Sequence, residues 1–193
     1  MRRAAATRAA LSGSSDFSSG LREQLRGAER IFVLGIGMSW KSDDRLGVAL
    51  AQALRRRLPP HPDIRVAIGG EAPENFTGPV RAFAPSHVVL LDAVDHRQAP
   101  GSILIADEGS VQAGDMTSHH LPLKLLMRFL AASIPCRVVL VGVQPLSLRA
   151  GSRLSAPVRK ALPPLADLLA AALRRALREQ VGEKVPSGRS GRR

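Results

Sequence analysis

Residues 30–47 read RIFVLGIGMSWKSDDRLG, and this stretch decides the fold. Its first part, residues 30–36, is a short unbroken apolar run of the kind that forms a strand buried on both faces. A polar, glycine-containing loop with the acid pair Asp43-Asp44 follows, and a helical apolar pattern over residues 44–56 comes after it. Strand, loop and helix in that order make the opening of a βαβ unit. Gly35-x-Gly37 matches the first two glycines of a dinucleotide fingerprint, but Trp40 stands where the third belongs. No Gly-Lys-Ser/Thr follows, which excludes a P-loop.

The same alternation continues outward. Strands are expected at residues 64–68, 87–92, 102–106 and 137–141, and helices at 20–26, 74–83, 120–131 and 157–180. Pro59-Pro60 stops the second helix, Pro73 suits the first turn of the third, and Pro163-Pro164 is expected to kink or restart the last. Helices alternating with buried strands predict an α/β domain with helices on both faces of one sheet. The expected organisation is a disordered leader over residues 1–18, a single domain over 19–181 and a disordered basic tail over 182–193.

Composition narrows the function classes. A chain of 193 residues with 45% hydrophobic residues builds one ordinary core. No apolar run reaches the roughly 18–20 residues that cross a bilayer, so no membrane insertion is expected. Cys136 is the sole cysteine, which rules out a disulfide framework and fits a cytoplasmic setting. The formal charge of +12 invites nucleic acid as a partner, but much of the charge sits in the two ends and late in helices. With no Tyr, one Trp and five Phe, there is little to stack bases on, so nucleic acid is disfavoured despite the charge.

In open α/β sheets, ligands bind beyond the carboxyl ends of the strands. The polar residues expected there are Asp43-Asp44, Gly69-Gly70-Glu71 with Glu74-Asn75, Asp92 with Asp95 and His96, Thr117-Ser118-His119-His120, and Gln144. Ser42 or Asp43 has a competing role as helix cap, which leaves Asp44 free. Asp92 closes the apolar run Val88-Val89-Leu90-Leu91, where a carboxylate needs a cation, a donor or a metal as partner. At most one of His119 and His120 readily faces the strand ends. Two carboxylates and an imidazole from separate segments suit Ni, Zn, Mn or Fe, and composition does not choose among them.

Five motifs occur in order: Gly35-x-Gly37…Asp43-Asp44-x-Leu46-Gly47, Gly69-Gly70-x-Ala72-Pro73-Glu74-Asn75, Leu91-Asp92-Ala93, Thr117-Ser118-His119-x-x-Pro122-Leu123 and Gly142-Val143-Gln144-Pro145. Together they resemble the nickel–iron hydrogenase maturation endopeptidases, in particular the branch serving formate-hydrogenlyase-type hydrogenases. The resemblance implies a three-layer α/β/α sandwich around a twisted, mostly parallel five-stranded sheet of phosphorylase/hydrolase-like type. It implies an endopeptidase that removes the C-terminal extension of a hydrogenase large-subunit precursor after nickel insertion. It also implies that Asp44, Asp92 and His119 are both the metal ligands and the catalytic residues, with nickel recognised in the precursor and another divalent ion able to substitute. On that reading Gly35, Gly37, Gly69, Gly70 and Glu74 face the extended substrate tail, the glycines letting backbone approach closely.

Two positions depart from the family pattern: Met38 stands where Asn is frequent, and Arg45 where Gly or Ala is usual. Arg45 is expected to pair with Asp43 or a precursor carboxylate, or to face solvent. A non-catalytic precursor-binding factor and a peptidyl-tRNA-hydrolase-like RNA enzyme are the alternatives. Because His119 must be neutral to ligate, metal-dependent activity should fall as pH drops through about 6.5. A flat activity profile between about pH 5 and 8 argues against ligation by His119.

Overall fold

The computed structural model describes residues 8–11, 14–110 and 121–183. The strand expected first is β2 (Ile31–Ile36); with β1 (Arg8–Leu11), β3 (Ile64–Gly70), β4 (His87–Ala93), β5 (Ile103–Asp107) and β6 (Arg137–Val143) it forms one sheet in the order β1-β5-β6-β4-β2-β3, with β6 and β4 at the centre. The pairs β2–β3, β2–β4 and β4–β6 are parallel, while β5 runs antiparallel to β6 and β1 antiparallel to β5. All five expected strands are present, in a mostly parallel sheet flanked by helices. The edge strand β1 adds a sixth.

Side chains alternate across the central strands and build two cores. Ile31, Val33, Val89, Leu91, Val139 and Val141 face one way, toward α1 (Ser14–Gln24), α2 (Leu46–Arg57) and α5 (Ala156–Glu183). Phe32, Leu34, Val88, Leu90, Val138 and Leu140 face the other, toward α3 (Thr77–Phe83) and α4 (Leu121–Ser133). This is why β2 and β4 are unbroken apolar runs: each successive residue enters one core or the other. Among the described residues no helix is long and apolar enough to cross a membrane.

The ends differ from expectation. The leader boundary at residue 18 falls inside α1, because Phe17, Leu21 and Leu25 form an i, i+4, i+8 stripe buried against the core. The last helix does not restart at Pro163-Pro164 but runs through them. Both prolines are exposed, so the carbonyls they leave unpaired face water. The helix expected from residue 74 begins as a 3-10 turn, Pro73–Phe76, before α3. Residues 184–193, most of the expected tail, lie outside the described residues.

A close approach of α2 to the sheet positions everything at the strand ends. A Cβ on Gly47 would lie 2.1 Å from the Leu91 carbonyl oxygen and 2.4 Å from that of Ile36. A Cβ on Gly35 would meet the Gly47 oxygen at 2.4 Å, and Gly37, at φ +127°, sits under the Asp44 carbonyl. Backbone therefore packs on backbone where α2 begins. Gly47→Ala is predicted to cost about 3 kcal/mol or more, since neither carbonyl can move without breaking the sheet. Denaturant unfolding checks this, and an unchanged midpoint would refute the tight crossing.

Candidate active site

In the parallel part of the sheet, the chain leaves β2 for β3 on one side and returns to β4 on the other. The crevice beyond the carboxyl ends of β2 and β4 is thus the topological switch point where such folds bind ligands. A cleft of about 750 Å³ opens there. Asp44, from the 3-10 turn Asp43–Arg45, and Asp92, from the end of β4, both line it.

The two members of the acid pair do different work. Asp43 is completely buried. One carboxylate oxygen accepts the N–H groups of Leu146 and Ser147 at 2.9 and 3.1 Å and the Ser155 hydroxyl at 2.8 Å, and the other accepts the Ser155 N–H at 2.7 Å. It ties the loop after β2 to the loop after β6. The capping role expected for Ser42 or Asp43 is not realised: the Ser42 hydroxyl donates instead to the Arg153 carbonyl. Arg45 does not pair with Asp43 either, because its guanidinium donates to the Ser152 carbonyl on the same facing loop. Asp44 faces the cleft, accepting the Met38 N–H at 2.6 Å.

Asp92 is 9% exposed and accepts the N–H of Ala93 at 2.8 Å. Burial, then repulsion from Asp44, pushes its pKa up to about 8 against the partial relief of the Ala93 hydrogen bond. Among the described residues it has no ion-pair partner, and the described lining of the cleft contains no Lys, Arg or His. A buried carboxyl beside a like charge, without a cation, suits a site that meets a divalent ion or a proton from outside.

The remaining expected residues divide. Gly37, Gly70 and Glu74 line the cleft with Glu71. Gly70, at φ +61°, has open space where a Cβ would stand, and its carbonyl accepts the Gly37 N–H. Gly35 and Gly69 are not in the lining: Gly35 lies beneath α2, and a Cβ on Gly69 would press on Leu34. For Gly35, lack of a side chain serves helix packing rather than access of a substrate tail. Asp95 and His96 belong to a loop fixed by the Gln144 side chain, whose Oε1 accepts the His96 N–H and whose Nε2 donates to Asp95. His119 and His120 lie outside the described residues, as do Thr117 and Ser118. Among the described residues no group of three His, Cys, Asp or Glu side chains is arranged to hold a metal ion.

One wall went unread in the sequence. Leu123, Leu125, Leu126 and Phe129 of α4 also line the cleft, as does Leu148 from the loop after β6. The signal was available: α4 is apolar nearly all round, so Leu123, Leu126 and Leu130 enter the core while Leu125 and Phe129, four apart, are left outward.

Asp92 links stability to pH with a definite sign. Its folded pKa lies above the ordinary value of 3.8, so the folded protein holds this proton more tightly than the unfolded chain. The associated stability is intact below the ordinary value and is lost as pH rises through about 8. Asp92→Asn should flatten the thermal-stability curve of the metal-free protein across this range and raise its Tm at neutral pH by about 5 °C. Parallel curves for wild type and variant would mean that the carboxyl is not held uncharged.

Comparison with known proteins finds similar sequences and folds among the hydrogenase maturation proteases. A family model described as HycI, hydrogenase maturation protease, matches residues 48–172, an interval that contains Asp92 and His119 and begins just after Asp44. The Hydrogenase 2 maturation protease of Escherichia coli (strain K12) is 31% identical over 153 residues, covering 75% of this chain and 91% of that protein. The Hydrogenase 3 maturation protease of the same strain is 33% identical over 114 residues, covering 58% and 71%. The crystal structure of the NiFe hydrogenase maturation protease HycI from Thermococcus kodakarensis KOD1 superimposes with a TM-score of 0.74 at 30% identity, covering 80% of this chain and 99% of that one. The maturating endopeptidase HybD of Escherichia coli gives 0.64 at 27%, covering 76% and 93%. A family match over more than half of the sequence and a shared fold across nearly all of a solved relative lead to one conclusion: this chain belongs to the hydrogenase maturation protease family.

Proposed function

We propose that this protein is the endopeptidase that removes the C-terminal extension of a nickel–iron hydrogenase large-subunit precursor, and that it recognises the installed nickel as part of its substrate. The observation that carries the reading is the pairing of Asp44 with Asp92 in a cleft whose described lining has no basic residue. Such a pair is poorly neutralised until a cation arrives. His119 is the third ligand in this reading. In the sequence it stands two residues before α4, and Leu123 of that helix lines the cleft.

Asp44, Asp92 and His119 complete the coordination of nickel held by the precursor. That anchors the tail and turns an encounter between two proteins into a positioned reaction. Asp92 releases its proton as it ligates, so binding is coupled to pH. The ion then polarises the scissile carbonyl or lowers the pKa of the attacking water. A second route has support in the raised pKa of Asp92: a carboxyl titrating near neutrality is matched to general acid–base work, with nickel serving as the recognition key. Glu74, Gly37 and Gly70 border the path of the extended tail.

The test is to incubate purified nickel-loaded precursor with the protein and follow the mass of the large subunit. Wild type should shorten the nickel-loaded form and leave the nickel-free form intact. Asp44→Ala, Asp92→Ala and His119→Ala should each slow cutting by about 100-fold or more. Retained cutting in all three variants removes the proposed site. Binding without any mass shift assigns the protein an escort role instead.

A further inference from the structure

Among the described residues, the large apolar side chains left exposed are Trp40, Leu125, Phe129 and Leu146. All four gather at one end of the molecule. Leu125 and Phe129 form the cleft's apolar wall. Trp40 donates its indole N–H to Glu71, a residue of the cleft lining, at 2.9 Å. Leu146 donates its backbone N–H to Asp43, the neighbour of Asp44 in the cleft. Scattered exposed leucines need no explanation, but four large groups around one carboxylate-bearing crevice do.

Trp40 and Leu146 are also held rather than loose. Their loops are stitched together by Gly151 N–H donating to the Trp40 carbonyl, by Ser42 N–H donating to the Arg149 carbonyl, and by the Asp43 carboxylate. Trp40, 52% exposed, and Leu146, 59% exposed, therefore project from a rigid rim and lose little conformational freedom on contact. Aromatic anchors on a fixed frame are the groups that dominate protein–protein binding energy.

We propose that this rim is a docking surface for the folded body of the large-subunit precursor, which meets Trp40 and Leu146 with an apolar patch beside the point where its tail enters the cleft. The inference rests on the proteolytic reading for the partner's identity, and the continuity of rim and cleft argues for that partner. The cleft itself takes the tail: its apolar wall covers side chains, and Asp44, Glu71, Glu74 and Asp92 make it a poor host for negative charge. Contact outside the cleft then adds affinity to the hold that the acid pair has on the nickel-bearing tail, and the rim takes no part in cutting.

Equilibrium binding of purified nickel-loaded precursor, measured by titration calorimetry with the non-cutting Asp92→Asn protein, is the direct test. In that background Trp40→Ala combined with Leu146→Ser should weaken binding at least about ten-fold. With Asp92 restored, the same pair should raise KM by a similar factor and leave kcat within about two-fold. Trp40→Phe keeps the apolar area and drops the bond to Glu71, so it should bind nearly as wild type does. Unchanged affinity in the double variant overturns the docking surface while the cleavage reading stands. A Trp40→Phe loss as large as that of Trp40→Ala also overturns it, since the effect would then lie in holding Glu71. Rim-dependent binding by a wild-type protein that never shortens the precursor supports the surface and sinks the endopeptidase reading. Absence of precursor binding by wild type sinks both.

Discussion

The structure depends on one helix entering the sheet with nothing but backbone between them. Where α2 starts, Gly35, Gly37 and Gly47 let its first turn rest on the carbonyls of Ile36 and Leu91. Any side chain at Gly47 would lever the helix outward, and the preceding 3-10 turn would move with it. That turn carries Asp44. The separation of Asp44 from Asp92 is therefore set by the absence of three methyl groups, and the electrostatics of the cleft inherit the precision of that contact.

The neighbouring carboxylates of the turn illustrate how environment divides like residues into unlike roles. Asp43 is buried and satisfied by three backbone N–H groups and a hydroxyl, an arrangement in which the cost of desolvation is offset locally. Asp44 receives one backbone donor and keeps the rest of its oxygen surface toward the cleft. Asp92 also receives one backbone donor but is buried, and burial followed by repulsion from Asp44 raises its pKa to about 8. A carboxyl held this way costs stability, as functional sites often do.

Much of this was legible in the sequence. The apolar runs at β2, β4 and β6 identified themselves because both faces of each are buried, and the glycines and acids after β2 marked a crevice by the general rule for open sheets. Asp92 was legible because a carboxylate ending an apolar strand needs a reason to be there. What was not legible depended on partners far away in the chain. The role of Asp43 is written in residues 146–155, more than a hundred positions later, and no local pattern announces it. Gly35 and Gly37 look alike in sequence, yet one lies under a helix and the other borders the cleft. The start of α1 was missed although the Phe17, Leu21, Leu25 stripe was present, because the serine-rich composition around it outweighed three well-spaced residues.

The two walls of the cleft belong to different cores. Asp44 is carried by the turn into α2, which packs in the core shared with α1 and α5, whereas Leu125 and Phe129 are carried by α4 on the other side of the sheet. Six strands of hydrogen-bonded backbone lie between these cores, and substitutions without shared neighbours contribute nearly additive free energies. The helix that shapes one wall can thus drift in sequence, trading one hydrophobic contour for another, without disturbing the geometry of the acids. Such a partition lets a lineage of these proteins reshape one wall of the cleft while the acid pair stays fixed.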